Sequence, residues 1–219
     1  MSAEEVRPRI KICGVTRPQD ADLAAGLGAD LVGLNFWPGS PRRTDLPQAR
    51  EIAAAVAGRA RLVGVFVDER PGRVDEIVED VGLDLVQLHG DEPEAERTRF
   101  GARLLRVLRA DELVIRGREI DAAGSRSAAP FAFLVDAPRP AGVGGTGRAW
   151  NWSTSREWIR CAPAPVLVAG GVRPGSAARA LAESGAAGVD VASGVERAPG
   201  VKDAEKMRRL FEELRGVAT

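Results

Sequence analysis

Histidine occurs once, at His89, and cysteine twice, at Cys13 and Cys161. So small a stock of ligating side chains leaves no Cys/His cluster with metal spacing and no disulfide framework, and no metal site is expected. Lysine is also scarce: Lys11, Lys202 and Lys206 are the whole set, and the other basic residues are arginine. An excess of charge of either sign is missing too, since 31 Lys and Arg balance 31 Asp and Glu. A net charge of zero argues against nucleic acid or a membrane surface as partner, while leaving room for a local basic pocket. No apolar run reaches the roughly 20 residues that span a bilayer. The opening "MSAEEVRPR" has no apolar core of the secretory kind, so a reduced, cytoplasmic setting is expected. Residues 1–8 read as a flexible extension.

What is present is ordinary globular material: 219 residues, 44% apolar and 28% charged, enough to bury a core without staples. Short apolar runs alternate with longer amphipathic ones. "RIKIC" (9–13) is followed by a helical pattern over 18–29, "LVGLNF" (31–36) by 46–58, and "RLVGVFV" (61–67) by 73–82. "LDLVQLHG" (83–90) is followed by 92–101, "RLLRVLRA" (103–110) by 111–124, and "FAFLVDA" (131–137) by 150–162. "PVLVAGG" (165–171) and "AGVDVASG" (187–194) precede 174–185 and 203–216. Eight strand-plus-helix units without a linker predict one α/β domain over 1–219. The expected fold is a single (β/α)8 TIM barrel around a parallel eight-stranded sheet. A doubly wound open sheet is the alternative, and no dinucleotide fingerprint follows an early strand to support it.

Chemistry in such a barrel sits at the C-terminal ends of the strands. Three glycine-rich turns fall there late in the chain: "GVGGTG" (142–147), "GGVRPG" (170–175) and "SGVE" (193–196). Glycine lets backbone N–H groups approach an anion closely, so these turns predict a phosphate site. Cys13 ends the first strand and Asp136 the sixth, across the same mouth. A thiol and a carboxylate placed so suit base and acid in proton transfer on a phosphorylated sugar. A cysteine-protease reading would need His89, the only histidine, as partner. Lys11 lies close to Cys13 in the chain, but strand alternation is expected to send it to the other face. Cys161, late in a helix, is expected to be a small buried hydrophobe. Asp68 and Asp91 read as loop caps or solvated charges.

The motifs "KICGVT", "GADLVGLNFWPGSPR", "VGVFVDE", "VQLHGDE", "VDA…GGTG", "VLVAGGV" and "VDVASGVE…PGVKD" together resemble phosphoribosylanthranilate isomerases of tryptophan biosynthesis, over roughly residues 9–215. That resemblance implies a single (β/α)8 barrel acting without a cofactor. Its reaction is the Amadori rearrangement of N-(5-phosphoribosyl)anthranilate to 1-(2-carboxyphenylamino)-1-deoxyribulose 5-phosphate. It implies Cys13 as general base and Asp136 as general acid. Arg42 would hold the anthranilate carboxylate, with Arg43 as its immediate rival. Phosphate would be bound by Gly144, Gly145, Thr146 and Gly147, by Gly170 and Gly171, and by Ser193 and Gly194. His89 would lie near the substrate, or else be a hydrogen-bonded structural histidine. The implied partner is a small phosphorylated molecule, with the chain a monomer or a homodimer.

Two departures from the family pattern stand out. Ala192 occupies a position where a serine is common, which removes one hydroxyl but no backbone N–H. "AWNW" (149–152) replaces a phenylalanine-aspartate-tryptophan run, and Asn151 is expected to keep the capping role. The rival functions are a pentulose-phosphate epimerase, an indole-glycerol-phosphate synthase-like enzyme with Lys11 as its catalytic lysine, and a non-catalytic phosphosugar-binding subunit. A single histidine opposes the first, the KICG context the second, and the intact Cys13 and Asp136 the third.

Overall fold

The structure, a computed structural model, describes residues 7–113, 129–138 and 150–217. Eight parallel strands close into a barrel: β1 Arg9–Cys13, β2 Leu31–Asn35, β3 Arg61–Phe66, β4 Leu85–Leu88, β5 Leu104–Arg109, β6 Ala132–Asp136, β7 Val166–Val168 and β8 Gly188–Val191. The ring is sealed by β1 pairing with β8, with Ile10 opposite Val189 and Lys11 opposite Asp190. Around it lie α1 Pro18–Leu27, α2 Leu46–Val56, α3 Pro71–Val81, α4 Glu94–Thr98, α5 Arg156–Cys161, α6 Ala177–Ser184 and α7 Ala204–Leu214. The helix expected over 111–124 lies, from residue 114 on, outside the described residues, as do residues 1–6 of the expected extension. Arg7, within that extension, is tied down by Asp30, with Nη2 2.7 Å from Oδ1.

Local chemistry explains the helix starts. Pro18 and Pro71 occupy the first helical turn, where a missing N–H costs nothing. Asp45 and Asp203 cap α2 and α7 by accepting backbone N–H bonds from Gln48, and from Glu205 and Lys206. Two expected helices come out shorter. The one over 92–101 is confined to Glu94–Thr98, because Pro93 starts it and Gly101, with φ +48°, opens a 3-10 turn. The one over 150–162 begins as a 3-10 turn, Trp152–Ser155, which Asn151 caps by accepting the Ser153 N–H. A two-stranded antiparallel hairpin, β9 Glu196–Ala198 and β10 Val201–Lys202, follows the eighth strand. Strands that short carry no readable periodicity.

Strand alternation sorts the side chains into two layers. Ile10, Ile12, Val32, Leu34, Val86 and Val189 point outward and pack under the helices. Leu31, Val63, Leu85, Leu105, Leu134 and Leu167 fill the barrel itself. At the N-terminal end the guanidinium groups of Arg9 and Arg61 each stand 5.0 Å from the Phe131 ring centroid and close the bottom. Above the apolar layer, the same inward parity places Lys11, Cys13, Asn35, Gln87, Asp136 and Asp190 toward the mouth. A floor filled by apolar side chains and closed below by these two arginines leaves the polar inward residues above it facing the mouth. Truncating Leu134, 1% exposed within that floor, is expected to cost about 2–5 kcal/mol. Urea unfolding of Leu134→Ala measures it.

Candidate active site

A cavity of about 360 Å³ opens at the C-terminal ends of the strands, and Cys13, Arg42, His89, Asp136, Gly170, Gly171 and Ser193 all line it. A second recess of about 320 Å³ adjoins it, sharing Gly171 and Ser193 and adding Gly194. Every sequence-predicted site residue within the described residues is therefore brought together. Gly144, Gly145, Thr146 and Gly147 lie outside the described residues.

The sulfur is positioned by its strand and by two glycines. Gly14 has φ +67°, and a Cβ there would meet Arg42 Cδ at 2.5 Å, so the arginine side chain lies directly on the turn that follows Cys13. Gly33, on the neighbouring strand, leaves the space in which the sulfur sits: a Cβ there would stand 3.0 Å from Cys13 Sγ and 3.2 Å from Lys11 Nζ. The expectation that Lys11 faces away from the thiol is thereby corrected. Positions 11 and 13 are two apart in a strand and share a face. Burial pushes the thiol above its ordinary range; the Lys11 ammonium pulls against this and the Asp190 carboxylate adds to it, and the net shift is upward. Cys161 is corrected as well: it is exposed at the last turn of α5, not buried.

Asp136 ends β6 with Oδ1 accepting the Ala137 N–H at 2.8 Å and Oδ2 standing 3.5 Å from His89 Nε2. Gln87 Nε2 lies 3.1 Å from His89 Nδ1, so the ring is held from the β4 side. Burial works to raise this carboxyl, but the neighbouring His89 imidazole and the Ala137 N–H outweigh it, and the net shift is downward. His89 is in contact with Gln87 within the barrel and also lines the cavity.

Arg42, not Arg43, enters the site; Arg43 is exposed and lies outside the cavity lining. Glu196 orients Arg42 by a two-point bond, Nε to Oε1 at 2.9 Å and Nη2 to Oε2 at 2.8 Å. At the other end, the β7 and β8 loops touch so closely that a Cβ on Gly194 would overlap the Val172 carbonyl oxygen. The recess there carries Arg173, Lys206 and Arg209, with no carboxylate lining it among the described residues. Asp68 does cap a loop, accepting the Asp91 N–H at 2.7 Å, and Glu92 accepts the N–H groups of Asp68 and Gly90. Asp91 itself is solvated, its side chain 84% exposed.

Sequence reasoning missed Gln87 and Asp190, which line the cavity, and the three cations of the recess. The first group was detectable as polar side chains at inward parity in otherwise apolar strands. Arg173, Lys206 and Arg209 come from separate segments and carry no local signal. Among the described residues no group of three or more His, Cys, Asp or Glu could hold a metal ion. No described helix is long and apolar enough to cross a membrane.

The family model for N-(5'-phosphoribosyl)anthranilate (PRA) isomerase matches residues 10–213. The chain belongs to the PRA isomerase family. The N-(5'-phosphoribosyl)anthranilate isomerase of Myxococcus xanthus is 41% identical over 211 residues, covering 95% of this chain and 97% of that protein. The solved phosphoribosyl anthranilate isomerase of Thermotoga maritima superposes with a TM-score of 0.84 at 30% identity, covering 95% of this chain and 99% of that one. A PRA isomerase complexed with reduced 1-(o-carboxyphenylamino)-1-deoxyribulose 5-phosphate superposes with a TM-score of 0.81 at 28% identity, over 95% and 99% of the two chains. These PRA isomerases share the closed barrel found here.

The contact between His89 and Asp136 makes a directional expectation. In wild type the Asp136 carboxyl titrates below the usual carboxylate range; in His89→Ala, where burial acts with less opposition, its midpoint moves up. Carboxyl-carbon NMR titration of Asp136 reads both.

Proposed function

We propose that the whole chain works as one catalytic barrel, a PRA isomerase of tryptophan biosynthesis in the cytoplasm. It would convert N-(5'-phosphoribosyl)anthranilate to 1-(2-carboxyphenylamino)-1-deoxyribulose 5-phosphate. The observation that carries the reading is one continuous site with Cys13, Asp136 and Arg42 on the cavity and the turns at Gly171 and Ser193–Gly194 leading into a cationic recess. A substrate with a carboxylate at one end and a phosphate at the other matches that polarity. All these groups come from one chain, so monomer and homodimer are both compatible with the site.

The roles follow from the residue types. Asp136 gives a proton to the furanose ring oxygen as the ring opens to a Schiff base. Cys13 takes the proton from C2′, leaving an enolamine that tautomerises to the ketone. Hydrogen is only relocated within the substrate, so the reaction needs no redox partner, and no cofactor or metal is invoked. Arg42, fixed along one edge by Glu196, offers its remaining nitrogen to the carboxylate. Gly170, Gly171, Ser193 and Gly194 receive the phosphate through backbone N–H groups, with Arg173, Lys206 and Arg209 supplying positive charge from the recess. Gly144 to Gly147 would complete that end, in keeping with the family resemblance.

In the free site the shifts favour a protonated thiol and an ionised carboxylate, the reverse of the working pair. The two forms differ only in where one proton sits. The working form is therefore a constant minor fraction at every pH between the two titrations. The expected kcat/KM profile is a broad plateau, falling on the acid side with Asp136 and on the alkaline side with Cys13.

Following the loss of PRA fluorescence tests the reading. Wild type is expected to consume the substrate. Cys13→Ala and Asp136→Asn are each expected to lose at least about 10²-fold in kcat while remaining folded. An inert wild type that still binds the reduced product analogue would overturn catalysis in favour of a binding protein.

A further inference from the structure

The roles above leave unused the most deeply buried charge in the barrel. Lys11 is 0% exposed, and its Nζ lies 2.9 Å from Asp190 Oδ1. The two are Cα partners across the β1–β8 seam that closes the ring. Directly beneath this level the barrel is filled by leucine and valine. Replacing a buried ion pair by apolar side chains is often neutral or stabilising, so stability alone does not account for this one. Its location does: Lys11 Nζ and Cys13 Sγ both come within 3.2 Å of the single point where Gly33 lacks a Cβ.

We propose that Lys11, held in place by Asp190, is the positioning residue for the base: its ammonium, one inward position below Cys13 on β1, is the fixed positive charge against which the thiolate forms. The proposal rests on the isomerase reading and deepens it. When the thiolate takes the C2′ proton, sulfur becomes S–H, while Lys11 stays an ammonium and Asp190 a carboxylate throughout. Lys11 therefore donates no proton and needs no opening to the substrate, which fits its complete burial. This also removes it as the accessible catalytic lysine of an indole-glycerol-phosphate synthase.

Other charges surround the sulfur. Arg42 and the Lys202 ammonium lie on the β2 and hairpin sides, the latter donating to the Cys13 carbonyl oxygen at 2.5 Å. Asp190 faces the thiol from β8 as Lys11's counterion, and Asp136 with His89 lines the same cavity. Arg42 and Lys202 are already engaged by Glu196. Of the three, Lys11 is thus the cation whose counterion shares the pocket with the sulfur, so cation and counterion act on the thiol with opposite signs.

That opposition makes the test. Iodoacetamide alkylation of Cys13 is followed against pH in a Cys161→Ser background, because Cys161 is exposed. Lys11→Met is expected to raise the alkylation midpoint by about one pH unit or more, a tenfold loss of thiolate at neutral pH. Its kcat at neutral pH falls accordingly, while KM changes little. Asp190→Asn leaves the cation without its counterion and is expected to lower the midpoint, so the coupling can be read even where Lys11→Met does not fold. A Lys11→Met midpoint equal to wild type, or an Asp190→Asn midpoint that rises, overturns the proposal. Alkylation needs no substrate. A wild type inert toward PRA but with both shifts intact would sink the isomerase reading and leave the thiol–lysine coupling standing.

Discussion

Glu196 is the carboxylate on which the mouth of the barrel depends. It accepts from Arg42, from the Gly200 N–H and, at 2.8 Å, from Lys202 Nζ, while that same ammonium donates to the carbonyl oxygens of Cys13 and Ala192. One buried cluster thereby fixes the end of β1, the loop after β2, the turn after β8 and the hairpin. Burial would raise the Glu196 carboxyl, but Arg42 and Lys202 hold it below its ordinary range. Its contribution to stability is present above the unfolded carboxyl's titration and is lost as pH falls through the lowered folded value. Removing either partner would strand a buried charge, which costs more than an exposed ion pair ever contributes. The arginine proposed to meet the substrate carboxylate is thus set by the same residue that ties down the backbone of the proposed base.

The electrostatics of the site follow from where the barrel places its polar layer. Cys13 and Asp136 sit above a dry floor, so each feels burial strongly, and each is answered by a neighbour: Lys11 for the thiol, His89 for the carboxylate. His89 succeeds in pulling Asp136 down, whereas the counterion Asp190 blunts what Lys11 does for Cys13. The unliganded site therefore stores its proton on sulfur. A phosphorylated, carboxylated substrate brings negative charge into this cavity, which favours protonation of Asp136 at the moment an acid is required.

Much of this was legible in the sequence because apolar runs followed by helical patterns repeat eight times, and repetition survives errors at individual boundaries. The places of Cys13, Asp136 and the turns at Gly170–Gly171 and Ser193–Gly194 at the mouth were legible because strand ends and glycine turns are local features. The choice of Arg42 over Arg43 came only from the family resemblance; in the structure Arg42 packs on Gly14 and lines the cavity. The burial of Glu196 and Lys202 had no signal along the chain; it arises because a hairpin too short to show a period folds them back under the mouth. Lys11 was misplaced by applying alternation to neighbours one apart, when the residues in question are two apart. The downward shift of Asp136 needed the His89 contact, which joins β4 to β6 and has no signature along the chain.

The most direct test of the account is a crystal structure of this chain with reduced 1-(o-carboxyphenylamino)-1-deoxyribulose 5-phosphate. The account expects the carboxylate on Arg42, the phosphate against Gly171 and Ser193–Gly194, and C2′ within about 3.5 Å of Cys13 Sγ. A ligand bound in the reverse direction, or with C2′ remote from the sulfur, would contradict it.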